Sequence, residues 1–278
     1  MEETLKKSLE VNATKVRIGI IEGIHSAKAG HPGGSLSCAD ILTYLYFAKM
    51  NIDPQNPKKA DRDRFVLSKG HAAPALYSVL AQQGFFDVSL LKTLRQIGSI
   101  LQGHPDMKYI PGVDMSSGSL GQGISCAVGM ALSAKHFCDD YKVYTILGDG
   151  ELEEGQVWEA AMFATNKKLS NLTAFIDYNN LQIDGSIEEV NSAAPIDKKF
   201  EAFGWHTIII DGHDFDQIDA ALNEAEKIDK PVAIIAKTVK GKGVSFMENQ
   251  VSWHGSAPND ELAAQALEEL NAKLAELK

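Results

Sequence analysis

Two short runs, apolar but for one threonine in each (Thr145 and Thr173) and stopping abruptly at polar residues, constrain this chain more than any other feature. Val143 to Leu147 runs straight into Gly148-Asp149-Gly150, and Leu172 to Ile176 runs into Asp177-Tyr178-Asn179-Asn180. A strand that is apolar on both sides must be covered on both faces. A parallel sheet with helices above and below does this. Phe65-Val66-Leu67, Thr207 to Ile210 and Val232 to Ala236 read as further strands. Between them lie helical stretches: Ala72 to Gln83, Ile124 to Phe137, Leu152 to Lys168 and Phe215 to Ile228. Ahead of the first strand, Leu5, Leu9, Ala13, Val16, Ile20 and Ile24 form a helix stripe that should stop at Gly30 and Pro32. Ser35 to Met50 reads as a nearly all-apolar, buried helix. The expectation is one α/β domain over residues 1–278, a parallel sheet flanked by helices on both faces. A C-terminal helix should cover about 260–278, with Leu267, Leu270, Leu274 and Leu277 on one edge. Spacing leaves open whether that edge packs on the domain or on a partner.

Charge narrows the function. With 37 acidic and 27 basic residues the chain carries a formal charge of −10. That argues against a nucleic-acid groove or an anionic membrane surface. No apolar run is long enough to cross a bilayer. The start lacks the basic and apolar regions of a signal peptide, so a cytoplasmic location is expected. Cys38, Cys126 and Cys138 have no metal-binding spacing and read as buried small hydrophobes.

Ligands of parallel sheets bind beyond the carboxyl ends of strands, where Asp149 and Asn179 both fall. Glycines there let a backbone approach a phosphate closely, and the helix that follows offers its N-terminus to an anion. Asp149 is itself an anion, so a phosphate beside it calls for a cation between the two. Mg²⁺ takes hard oxygen ligands, few of them from protein. Asp149 and the amide oxygen of Asn179 suit it. Two other readings compete. Asp-Gly is common in plain turns. A dinucleotide-binding loop would need a glycine where Glu153 stands, and Glu151, Glu153 and Glu154 crowd the helix start.

Four of the eight histidines sit in loops flanked by Gly or Pro: Gly30-His31-Pro32-Gly33, Ser68-Lys69-Gly70-His71, Gly103-His104-Pro105 and Trp253-His254-Gly255. His25, His136, His206 and His213 have no such setting and read as structural or surface residues. Together with the loop Gly118 to Gly123 and the Asp149/Asn179 pair, these segments resemble, in the same order, the motifs of the transketolase family. The match reaches from the first helix to about residue 258.

That resemblance implies a thiamine-diphosphate-binding fold, the diphosphate-binding domain of the family. It implies Asp149, Asn179 and the main-chain carbonyl of Leu181 as ligands of Mg²⁺ (or Ca²⁺ or Mn²⁺), and Gly150 against the diphosphate. His71 and His254 would lie near the cofactor, and Gly118 and Leu120 against its aminopyrimidine. His31 and His104 would bind substrate hydroxyls, with His254 or His104 as the base. Glu154 matches an acidic residue that links paired sites. The implied reaction moves a two-carbon ketol unit from a ketose phosphate to an aldose phosphate, as in the pentose phosphate pathway. Deoxyxylulose-phosphate synthase shares the Asp/Asn pair and a stretch like Lys240 to Gly243, but lacks the GHPG histidine context.

The glutamate that activates the cofactor, and the arginines that recognise the sugar's phosphate, belong to a second domain that no segment here resembles. The implied assembly is an α2β2 heterotetramer with a C-terminal transketolase subunit. Two further readings stay open: a scaffold that binds cofactor without turnover, and a split carboligase acting on a branched or sulfonated sugar.

Overall fold

The computed structural model describes residues 1–278. Five parallel strands form one sheet in the order β1-β2-β3-β5-β4. They are β1 (Arg64–Leu67), β2 (Val143–Gly148), β3 (Leu172–Tyr178), β4 (His206–Asp211) and β5 (Val232–Lys237). Alternate residues point to opposite faces. Phe65, Tyr144, Ile146, Phe175 and Ile234 meet one helical layer, while Val66, Leu147, Ala174, Ile176 and Ile235 meet the other.

The first layer holds α1 (Glu3–Ala27), α2 (Pro32–Ser37), α3 (Ala39–Tyr44), α4 (Ala73–Gln83) and α9 (Phe215–Ala225). The second holds α5 (Gln122–Phe137), α6 (Gly155–Asn166) and α8 (Ile196–Ala202). Their sides follow from the handedness of crossovers. From β1 to β4 the chain advances in one direction, so α5, α6 and α8 share a face. It turns back from β4 to β5, and α9 falls on the other face. Helices therefore cover both faces, as expected.

Several boundaries differ from expectation. The helix α1 ends at Lys28, which adopts the left-handed conformation itself, two residues before Gly30. The apolar stretch 35–50 is not one helix. It starts at Pro32, is interrupted at Cys38, and finishes as a π turn over Leu45–Lys49. The segment expected to be helical from Leu152 opens instead as a 3₁₀ turn, Gly150–Glu153, before α6. The short helices α7 (Ile187–Val190) and α8 had no periodic signal. The edge strand β4 is only partly covered, with Ile209 half-exposed.

The terminal helix α10 (Asp260–Leu277) packs on α1, so its apolar edge belongs to this domain. Ala263, Ala266 and Leu270 are buried and Leu267 is partly so. Of the cysteines only Cys38 is buried. Cys126 is half-buried and Cys138 is exposed at the end of α5, contrary to expectation. No helix is long and apolar enough to cross a membrane.

Candidate active site

Four neighbouring strands end on one edge of the sheet, and each is followed by a segment that lines a single cavity of about 270 Å³. From β1 come Lys69 and His71, from β2 Gly148 to Glu151, from β3 Asn179 to Ile183, and from β5 Lys240. His31 and Gly34, Gly118 and Leu120, and His254 complete the lining. Of the residues singled out from sequence, His31, His71, Gly118, Leu120, Asp149, Gly150, Asn179, Leu181 and His254 are all there.

Three imidazoles form a tight cluster over this cavity. Ring centroids are 5.1 Å apart for His31 and His71, 5.5 Å for His31 and His254, and 5.4 Å for His71 and His254. Burial keeps all three neutral. It pushes His71 well below the usual histidine range, helped by the charge of Lys69. Burial and then Lys240 bring His254 down to about 4. His31 is lowered by burial and then by Arg95, and its Nδ1 is buried without a hydrogen-bond partner. His104 lies just outside the lining. Its main-chain oxygen accepts from the Tyr77 hydroxyl at 2.8 Å, and its ring stands 3.4 Å from where a Cβ on Gly118 would be.

Asp149 is buried with no cation on its carboxylate. Its oxygens accept only from the Asn180 N–H at 2.5 Å and the Gly150 N–H at 2.9 Å. Burial, then the neighbouring Asp177, raises it to about 7. Asn179 donates to Asp177 at 3.4 Å and accepts from the Leu181 N–H at 3.2 Å. The Lys240 ammonium donates to the Leu181 carbonyl and pairs with His254 Nδ1, both at 2.9 Å. A cation therefore already rests on the carbonyl that the resemblance assigns to a metal. Gly150 directs its N–H to Asp149, so only its lack of a side chain is free to admit a ligand. No three His, Cys, Asp or Glu side chains gather into a metal cage. A cation held by Asp149, Asn179 and Leu181 would complete its shell from ligand oxygens and water. The donor set, all hard oxygens around a buried unpaired carboxylate, fits such an ion, and two buried lysines beside it fit phosphate.

Glu154 is not brought to the cavity. It is exposed at the start of α6, where its side chain lies against Gly121. The 3₁₀ turn instead turns Glu151 inward. That carboxylate is buried and accepts from Ser68 Oγ, from the Gly121 N–H at 2.9 Å and from the Gly148 N–H at 3.1 Å. It thereby ties three cavity segments together.

Sequence reasoning missed the two lysines, although both lay within stretches already singled out. Lys69 is fully buried in an ion pair with Asp177 and donates to Gly34 O at 2.6 Å. Asp177 also accepts from Ser37 and Thr238. Although burial alone would lower Lys69, the charge of Asp177 raises it and keeps it protonated. Lys240 is brought down to about 8, by burial first, then raised partly again by Asp149 and lowered by Lys69. Ile183, exposed at the cavity, was also missed. The four remaining histidines behave as expected. His25 pairs with Asp260, His206 with Glu224, and His136 packs its ring against Phe137. His213 bridges Asp40 and the Val239 N–H.

Residues 8–275 match the family model described as transketolase, thiamine diphosphate binding domain. The chain is 48% identical over 263 residues to the 6-deoxy-6-sulfo-D-fructose transketolase subunit SqwG of Clostridium sp. (strain MSTE9), covering 94% of this chain and 96% of that one. It is 42% identical over 273 residues to a subunit of the apulose-4-phosphate transketolase of Phocaeicola vulgatus, covering 98% and 97%. Against Homo sapiens transketolase it is 43% identical over 269 residues, 96% of this chain but only 43% of that one. It superposes on the crystal structure of Campylobacter jejuni transketolase with a TM-score of 0.90 at 35% identity, covering 100% of this chain and 46% of that one. The chain spans less than half the length of these last two relatives. It belongs to the transketolase family, and matches that family's thiamine diphosphate-binding domain.

Proposed function

We propose that this chain is the N-terminal subunit of a two-subunit transketolase. It would transfer a two-carbon ketol unit from a ketose phosphate to an aldose phosphate, in the cytoplasm. One observation carries the reading. Asp149 and Asn179, thirty positions apart (179 − 149), meet on one cavity with the neutral imidazoles of His31, His71 and His254.

When bound, thiamine diphosphate supplies the carbon nucleophile and the electron sink. The residues of the chain hold it and manage protons. Asp149, the Asn179 amide oxygen and the Leu181 carbonyl would hold Mg²⁺, or Ca²⁺ or Mn²⁺ in its place. Lys69 and Lys240 give the diphosphate positive charge, and His71 and His254 border it. Gly118, Leu120 and Ile183 offer a partly apolar wall for the aminopyrimidine. His31 and His104 face substrate hydroxyls. Of the two candidate bases, His104 suits the role better. His254 accepts from the Lys240 ammonium through Nδ1, so its Nε2 carries the ring proton and is a donor. The ring of His104 makes no hydrogen bond of its own and is free to accept.

The activating glutamate would come from a partner chain in an α2β2 heterotetramer. Two relatives of about this chain's length are named as transketolase subunits, which supports a separate partner chain. We expect no ketol transfer by the purified chain and full turnover once a C-terminal partner is mixed in. Appreciable transfer by the pure chain alone would overturn the two-subunit reading.

The names of the same relatives favour a second reading of the substrate: a sulfonated or branched sugar in place of a pentose phosphate. Assaying the assembled pair on pentose and hexose phosphates, a 6-sulfo ketose and apulose 4-phosphate decides between them.

A further inference from the structure

We propose that His213, backed by Asp40 and Arg17, is a positioning residue that sets where the Lys240 ammonium stands at the cofactor cavity. This rests on the transketolase reading and extends it to three residues outside that cavity.

Lys240 is 1% exposed, and its ammonium reaches the Leu181 carbonyl and His254 Nδ1. A lysine is a long flexible stem, so its head is placed by the main chain at its root. Here the root lies just beyond the end of β5 and is followed by Gly241 and Gly243, both left-handed, with φ +80° and +93°. Such glycines leave the segment many paths. Side chains from outside grip it on either side of Lys240. The Val239 N–H donates to His213 Nε2 at 2.9 Å, and Arg17 Nε donates to the Lys242 carbonyl at 3.0 Å. Asp40 joins the two grips. It accepts from His213 Nδ1 at 2.7 Å and from the two Arg17 amino groups at 2.9 and 2.6 Å. Burial would raise Asp40, but Arg17 and then His213 bring it down to about 2, so it stays ionised.

The His213 contact stands in for a bond of the sheet. β4 and β5 run parallel, and the Gly212 N–H donates to Lys237 O at 2.8 Å. Continuing that ladder would pair the Val239 N–H with the Gly212 carbonyl. The chain turns away at His213 toward α9, and the imidazole takes the N–H instead. A ring nitrogen that accepts must be bare, so His213 carries its proton on Nδ1, where Asp40 receives it. Main-chain bonds hold the segment further out, from the Thr238 N–H to Tyr178 O at 3.1 Å and from the Gly241 N–H to Gly33 O at 3.0 Å. Loss of the grip should therefore shift the segment and leave the fold. Arg17, Asp40 and His213 line a separate cavity of about 440 Å³ that shares no lining residue with the cofactor cavity. Their route to the site is the segment 239–242.

The test uses the full chain assembled with its partner, at fixed Mg²⁺, and reads thiamine diphosphate affinity by fluorescence titration. His213→Asn keeps a donor near Nδ1 for Asp40 and loses the acceptor for Val239. His213→Gln reaches as far as Nε2 and restores an acceptor there. His213→Asn should weaken cofactor binding about tenfold, and His213→Gln should recover most of the loss. Asp40→Asn, which frees the ring to change tautomer, should give a smaller loss. The three changes are then repeated in Lys240→Met, which removes the ammonium. There each should alter affinity less than about twofold, because the effect runs through Lys240. A role in the fold alone would weaken binding equally in both backgrounds, and that result would overturn the proposal. So would unchanged affinity in His213→Asn, a His213→Gln no better than His213→Asn, or unchanged affinity in Lys240→Met. Titration needs no turnover. A pair that shows this coupling yet transfers no ketol unit would refute the proposed function and leave His213 in its role.

Discussion

Asp149 and the residues around it show how burial turns ordinary side chains into a site. An unpaired buried carboxylate is unfavourable until a cation joins it. Asp149→Ala should therefore lower Mg²⁺-dependent cofactor affinity of the assembled protein by at least about 100-fold, or roughly 3 kcal/mol. Unchanged affinity by fluorescence titration would refute the metal assignment. His31→Ala should raise KM for the sugar about tenfold or more and leave cofactor bound. Loss of cofactor would instead place His31 among the cofactor contacts. His254 gives a pH dependence. Its folded value, about 4, lies below the usual histidine value because burial, then Lys240, disfavours its charge. A depressed value means unfolding takes up a proton. The stability is thus present above about pH 6.5 and is lost as pH falls toward 4. Urea unfolding of the cofactor-free protein should lose roughly 1 kcal/mol from this group between pH 7.5 and 5, after allowing for solvent at the half-open cavity. His254→Gln should lose correspondingly less. Glycine and proline beside the histidines made them legible in sequence. Nothing flagged the lysines, because a lysine reads as surface until its burial is seen. Three glutamates in four positions could not reveal that Glu151 turns in and Glu154 out.

Among the elements, the best-read ones were those with strong periodicity and the worst were those decided by packing. The strands β2 and β3 stand where their patterns put them, and α1 does so but for its last turn. The stretch 35–50 is broken at Cys38, with His31 and Gly34 on one side lining the cavity and α3 on the other packed into the core. A mostly apolar run carries no mark of such a break. The start of α5 is fixed by a close approach. A Cβ on Gly123 would stand 2.5 Å from Ser68 Cα, a backbone atom. Gly123→Ala should cost about 1–3 kcal/mol and loosen the Ser68–Glu151 bond, measured by denaturant midpoint. Leu270 anchors α10 on α1 and is 2% exposed. Leu270→Ala should cost about 2–4 kcal/mol without changing how the chain associates with its partner, because that face packs inside the domain.

Across the whole molecule, the parallel arrangement brings the ends of β1, β2, β3 and β5 to one edge, and the site is the set of loops that follow. Leu120 and Ile183 stay exposed there. Sedimentation of this chain mixed with its partner should give a mass of two copies of each, and a stable one-to-one pair would refute the α2β2 stoichiometry. The sequence by itself determined the class of fold, since strands apolar on both sides admit few other solutions. It also determined the ordered motifs and the hard-oxygen character of the Asp149/Asn179 pair. Only the tertiary structure decided which glutamate faces inward and that Lys69 and Lys240 are buried at the cavity. Those are facts about neighbours distant in sequence, and local pattern carries no information on what long-range packing surrounds a side chain with.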